Sequence, residues 1–342
     1  VVMGDTRPIH TPIRPIAEKH GANLHVFEEG YFRPSWVTLE KNGVNGFSQL
    51  PHDPDWYRAA GQQIPEQPVV QPVTNPLWLL AVHEVTYHLA NILNPFLYKG
   101  YRTHRSAISG VEFAGWGRRF ARMPLWKQRD KRTIRQLIAA KTDYFILPLQ
   151  LDCDSQIKYH SPFDSMTQVL ELVISSFAAA APSHTKLVIK NHPLDTGLVD
   201  YRQIVQQLEQ LKDLEGRLVY LESGDLPTLL KHTKGVVTVN STVGTSSLIF
   251  SCPTIALGTA IYDMPGLTFQ GSLDQFWRCA EQPDAQLFSA FRNTVIHTTQ
   301  VNGGFYSVNG VKLAVQNSHK IITARKSGRS LLEKLFDKIG AP

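Results

Sequence analysis

Apolar and polar positions alternate in a recurring rhythm of short strand-like runs and longer helix-like segments. VVMGD opens the chain. Residues 11–21 follow with Ala17 and His20 at helical spacing, and then the strand-like NLHVFEEGY. Residues 33–76 are rich in Pro, Gly and Asn and read as loop. Residues 77–97 carry an apolar helix pattern, and basic helical sequence continues to Lys141. The rhythm restarts at Thr142: DYFILPLQ, KLVIKNHP, RLVYLES, GVVTVN and PTIALG read as strands, separated by helical segments at 165–180, 198–211, 226–232 and a helix start at 246–250. Residues 313–339 return to helix. Strands alternating with helices predict a parallel sheet with functional residues at the carboxyl ends of its strands.

The expected class is therefore α/β, in two halves joined near residue 142: an N-terminal Rossmann-like domain over 1–141, a second over 142–312, and a C-terminal helix, 313–342, that returns to the first. This layout resembles the two-Rossmann-domain GT-B glycosyltransferases with a C-terminal crossover helix. Composition adds bounds. The chain has 342 residues, 42% hydrophobic and 19% charged, which excludes wholesale disorder. Cys153, Cys252 and Cys279 are too few and too scattered for a disulfide framework, and a reducing cytoplasmic setting is expected. The longest apolar stretches fall far short of the ~20 residues that span a bilayer.

Charge changes the picture more. The net +6 is concentrated between residues 99 and 141, where twelve Lys and Arg stand against Glu112 and Asp130, a local +10. A solvated helix face is one reading. Interleaved Trp116, Phe120, Met123, Leu125 and Trp126 make the run amphipathic, which suits an anionic membrane surface or acidic acceptor; no nucleic-acid module accompanies it.

Three strand ends carry candidate chemistry. After ILPLQ, polar residues from Gln150 to Gln156 include Asp154, a carboxylate able to meet a reacting carbon or merely to cap a turn. Asp152 and Asp154 spell D-x-D, but without a second carboxylate pair, and no metal is expected. KLVIKNHPLDTG ends in Lys190 and His192, a cation and a hydrogen-bond donor suited to a phosphate leaving group. In GVVTVNSTVGTSSL, Ser241, Thr242, Thr245, Ser246 and Ser247 crowd a helix start whose free N–H groups suit an anion; a plain N-cap explains only one or two of them.

Five runs, EEGYFRPSWVTLEKNGVNG, PLQLDCDSQI, KNHPLDTG, VNSTVGTSSL and LGTAIYDMPGLTFQGSLDQFW, together closely resemble the single-module capsule polysaccharide β-Kdo transferases of the KpsS/LipB type, and the first favours these over the two-module relative, KpsC. The resemblance implies a peripheral inner-membrane enzyme of Gram-negative bacteria that moves 3-deoxy-D-manno-oct-2-ulosonate (Kdo) from CMP-β-Kdo to lyso-phosphatidylglycerol with retention, priming the linker of capsule chains. It implies no cofactor, and as partners the phospholipid acceptor, the two-module Kdo transferase and the capsule export complex. Asp154, in Q-x-x-x-D, would be the nucleophile; His192 and Ser241–Ser247 would hold the CMP phosphate, with Gln150 on the donor side. Lys190 or Arg33 would meet the Kdo carboxylate. Glu222 and Asp225 are candidates for ribose or cytosine. On the acceptor side stand Glu28, Tyr31, Arg33, His104 and Arg105, with Glu28 or Glu29 as base. Alternatives are another CMP-sugar transferase, sialyltransferase-like, or a non-catalytic capsule assembly partner. The family begins with a further strand and a G-P-x-G-P-F-F segment, so the N-terminal sheet is expected to lack its first strand–helix unit.

Overall fold

A computed structural model describes residues 1–7, 9–66, 68–74, 79, 82–83, 85–87, 97–98, 109–151, 155–323 and 330–341, without the side chains of 109–114 and 155. Most of the helix predicted at 77–97 falls outside these; residues 79, 82–83, 85–87 and 97, which are described, are helical. The chain forms two units, Val1–His104 with Ala285–Pro342, and Arg105–Asp284.

The first unit is built on a four-stranded mixed sheet of β1 (Val2–Met3), β2 (His25–Glu29), β3 (Trp36–Lys41) and β9 (Gln300–Asn302), in that order. β1 and β2 run parallel; β3 is antiparallel to both β2 and β9. The loop reading of 33–76 missed β3, because its Pro and Gly neighbours outweighed the β-prone WVTLE run, and it missed α2 (Pro54–Gly61). That helix has an ordinary start: Asp53 accepts from the backbone N–H of Asp55 and Trp56, and Pro54 occupies the first turn. Gly61 lets it lie close against α10 (Ala285–Thr299), since a Cβ there would stand 2.8 Å from that of Ala290. One sheet face packs Val37, Leu39, Val301 and Ala314; the other packs Val26 and Val44 against α1 (Ile13–Lys19). The C-terminal helix expected over 313–339 is two, α11 (Val308–Thr323) and α12 (Leu331–Ile339). Ser330 and Glu333 form a capping box that starts the second, and Lys41 reaches Glu333 at 3.0 Å.

The second unit carries a five-stranded, wholly parallel sheet. Its strands are β4 (Tyr144–Pro148), β5 (Lys186–Lys190), β6 (Leu218–Leu221), β7 (Gly235–Thr238) and β8 (Thr254–Ala256), in the order β6-β5-β4-β7-β8. Counted within the unit this is 3-2-1-4-5, the Rossmann order, with its topological switch between β4 and β7. Each predicted strand of this half is present. Near-continuous Val, Ile and Leu in β4, β5 and β7 reflect burial on both faces. One face holds α5 (Met166–Ala180) and α9 (Leu273–Cys279), where Trp277 meets Phe145 and Phe177 edge-on. The other is covered by Ile134 and Leu137 of α3 (Ser109–Ala139), together with Leu229 and Leu230. The seam expected near residue 142 thus comes after a helix that packs on the second unit. The remaining helices are α4 (Ser155–His160), α6 (Tyr201–Leu211), α7 (Leu226–Leu230) and α8 (Thr242–Ile249).

Candidate functional site

In a parallel sheet all strands deliver their carboxyl ends to one edge. Here that edge carries Gln150 from β4, Lys190 to His192 from β5, Glu222 from β6 and Ser241 from β7. β5 and β7 flank β4, so their ends stand about two strand spacings, roughly 10 Å, apart.

Helix α8 begins four residues earlier than its apolar pattern predicts. Ser241 has extended backbone and its side chain accepts from the Val243 N–H at 3.1 Å, making it the N-cap. The five hydroxyls divide by job. Thr245 and Ser246 donate to the Thr242 carbonyl, at 2.7 and 3.2 Å. Ser247 donates to the Gly244 carbonyl at 2.7 Å and meets the Thr254 hydroxyl of β8 at 2.6 Å. These three turn back onto the helix, whereas Ser241 and Thr242 lie half-buried at its mouth. Tyr262, which sequence reasoning passed over, braces this turn by donating to the Ser241 carbonyl at 2.7 Å. Gly244 is what admits the ring: a Cβ there would lie 2.2 Å from it. The signal was readable only as a glycine in a helix's first turn.

His192 follows β5. Its Nδ1 accepts the Leu194 N–H at 3.1 Å, which puts the neutral ring's proton on Nε2. The ring is thus set as a donor, the role a departing phosphate requires. Lys190 is half-buried; burial, then the nearby Arg119 charge, push its pKa below the usual lysine range.

Other candidates hold the scaffold. The Gln150 side chain donates to Asn240 Oδ1 at 3.1 Å and accepts the Asn240 N–H at 3.3 Å, joining β4 to β7 across the switch point. Glu222 is buried, accepts from Asn191 at 3.0 Å, and lies 3.6 Å from both Arg119 and Arg202. Asp225 caps α7, accepting from the Thr228 N–H at 2.9 Å and the Thr228 hydroxyl at 2.5 Å; these bonds lower its pKa. Asp154 lies outside the described residues, as do His104 and Arg105. Among the described residues no group of three or more His, Cys, Asp or Glu is arranged to hold a metal ion.

In the first unit, Glu28 and Glu29 end β2. Tyr306, a residue that sequence reasoning did not single out, donates to Glu29 at 2.7 Å, and the exposed Arg33 stands 3.9 Å from the same carboxylate. Tyr31 is buried instead. Its hydroxyl donates to Glu40 at 2.7 Å and accepts the Asn45 N–H at 2.7 Å. Glu40 also accepts from Ser48, and burial raises its pKa from 4.5 to about 7.

The molecule is thus an α/β protein whose Rossmann-type unit presents a helix mouth, a histidine donor and a lysine along one strand edge, a set suited to a phosphoanion. The chain belongs to the capsule polysaccharide biosynthesis protein family, whose sequence profile matches residues 1–306. It is 39% identical over 311 residues to the capsule polysaccharide modification protein LipB of Neisseria meningitidis serogroup B, covering 90% of this chain and 74% of that one. It is 37% identical over 307 residues to the capsule polysaccharide export protein KpsS of Escherichia coli, covering 89% and 78%. Among solved structures, a Thermosulfurimonas dismutans KpsC, beta Kdo 2,7 transferase, aligns with a TM-score of 0.41 and 15% identity, over 99% of this chain and 83% of that one.

Proposed function

We propose that this protein is a GT-B-like glycosyltransferase of capsule assembly that transfers Kdo from CMP-β-Kdo to a lyso-phosphatidylglycerol-type acceptor with retention. The observation that carries this reading is the strand edge itself: His192 fixed as an Nε2 donor, Lys190 beside it on β5, and the α8 mouth with Ser241 and Thr242 two strands away. Its family membership supplies the capsule context.

In the first displacement the Asp154 carboxylate attacks the anomeric carbon of Kdo and the bond to the CMP phosphate breaks. The electron pair leaves with that phosphate. Hydrogen bonds from His192 and from the α8 mouth strengthen as this charge grows, so they stabilise the transition state more than the bound donor. In the second displacement a base, with Glu29 the candidate, takes the proton of the acceptor hydroxyl as its oxygen attacks the same carbon and Asp154 departs. Tyr306 fixes one oxygen of Glu29. Lys190 meets the Kdo carboxylate. Gln150, Glu222 and Asp225 act from behind, holding strand ends and the α7 start in place.

Docking on an anionic membrane surface belongs to the same reading. Phe120 and Leu125 of α3 are 57% and 70% exposed among Lys and Arg. Among the described residues no helix is long and apolar enough to cross a membrane.

The test is CMP release from CMP-Kdo with a lyso-phosphatidylglycerol analogue, with and without chelator. Release is expected in both; none in either would sink the proposal. Asp154→Ala should stop transfer yet leave calorimetric CMP binding within about threefold, since the carboxylate acts on the sugar rather than on the nucleotide. An active variant would remove the nucleophile assignment.

A further inference from the structure

Beyond β5, on the side of the sheet away from α8, the second unit carries an open cavity of about 280 Å³ between α3, the 191–200 loop and the start of α6. Five arginines line it: Arg118, Arg119, Arg122 and Arg129 from α3, and Arg202 from α6. Three have their charge answered inside the fold. Arg119 lies 3.2 Å from Asp195 and 3.6 Å from Glu222, Arg202 lies 3.6 Å from Glu222, and Arg129 lies 2.6 Å from Asp130. Asp200 also lines the cavity, but its side chain is engaged as the α6 N-cap.

Arg118 and Arg122 have no ion-pair partner among the described residues. They stand one helical turn apart, where like charges repel. Deeper in, Arg119 is only 3% exposed, and its Nε is buried without a hydrogen-bond partner; the Arg202 Nη2 makes no hydrogen bond either, only the longer ion pair to Glu222. Buried guanidinium N–H groups left unpaired are costly and uncommon in folded proteins. The first turn of α6, an 11-residue helix, adds its positive end to the same wall. The close approach of α3 that shapes the cavity depends on Gly115, where a Cβ would meet the Thr196 carbonyl at 2.7 Å.

We propose that this cavity is a second anion site, next to the proposed donor site along the same strand edge, that takes a phosphate group. The Arg119 Nε without a hydrogen bond, together with two rim guanidiniums that have no ion-pair partner among the described residues, offers more donors than the two oxygens of a carboxylate can accept, whereas a phosphate has acceptors on several sides. The phosphate belongs either to a soluble phosphomonoester or to a phospholipid headgroup.

Calorimetry on the full chain tests this with inorganic phosphate, with glycerophosphoglycerol as an acyl-free phosphodiester headgroup, and with acetate. At least one phosphate probe should bind, acetate about tenfold more weakly, and saturating CMP should leave that binding unchanged. Tighter binding of inorganic phosphate assigns a soluble source and tighter binding of the diester a lipid one; each supports the site. Arg118→Ala with Arg122→Ala should weaken the bound probe about tenfold or more, with the circular dichroism and melting curve retained. Lys127→Ala with Arg132→Ala, exposed cations of the same helix outside the cavity, should not. No binding of either phosphate probe, acetate binding as tight, equal loss in both double variants, or displacement by CMP would overturn the proposal.

Discussion

Glu40 is a carboxyl held where a charge is expensive. It sits in the first unit among Tyr31, Ser48 and the core, and its pKa rises from 4.5 to about 7 because burial outweighs the two hydroxyls that donate to it. The sign follows from which state holds the proton. Below the ordinary carboxylate range both folded and unfolded chains are protonated. Between 4.5 and about 7 the unfolded chain loses its proton first, so stability falls as pH rises, and the loss is complete above that window. Glu40→Gln keeps an acceptor for Tyr31 and removes the titration. Denaturant unfolding of the variant should lose this pH dependence and show a gain on the order of 3 kcal/mol at pH 8; an unchanged profile would mean that Glu40 is not what titrates. His192 shows the other use of a local bond, in which one backbone N–H at Nδ1 decides which nitrogen of the neutral ring carries the proton.

At the scale of an element, α8 is the clearest case of a helix mouth shaped by its neighbour. Its hydrophobic pattern is weak because Ser and Thr fill it, yet Thr245, Ser246 and Ser247 satisfy themselves on carbonyls one turn back and leave the mouth to Ser241 and Thr242. Tyr262 supports that mouth from below. Gly244→Ala puts a methyl 2.2 Å from its ring and forces one of the two to move, at a cost of about 1–3 kcal/mol. Thermal melting should show that loss, and CMP affinity should fall with it. Tyr262→Phe removes the bonds to the Ser241 carbonyl and the Thr238 hydroxyl, costing about 1 kcal/mol or more. If Gly244→Ala melted like the parent, the close packing would not be holding the turn.

For the molecule as a whole, charge placement matters more than total charge. The net +6 is the residue of a strongly basic run on and before α3. That helix faces three ways: Ile134 and Leu137 into the core, Arg119 and Asp130 onto the strand ends, and Phe120 and Leu125 outward. Phe120→Ser with Leu125→Ser should lower co-sedimentation with phosphatidylglycerol-containing vesicles several-fold while leaving hydrolysis of a soluble donor unaltered, and added salt should weaken what remains. Vesicle binding equal to the parent's would overturn the proposed docking through these residues.

What the sequence determined by itself was whatever is written in short-range patterns. The strands of the second unit, their alternation with helices, and the polar residues crowding their ends were all legible, because a doubly buried parallel strand has to be apolar along its length and ends where turn residues begin. Less local features were not. β3 was masked by its Pro and Gly neighbours, and β9, three residues long, is a strand only because β3 is there to pair with it. The roles of individual polar residues depended on distant partners: Glu222 on Arg119, 103 positions earlier; Gln150 on Asn240; Tyr31 on Glu40; and Ser241 on Tyr262. A side chain's chemistry is set by what its polar atoms meet once water is excluded, and packing alone brings those partners together.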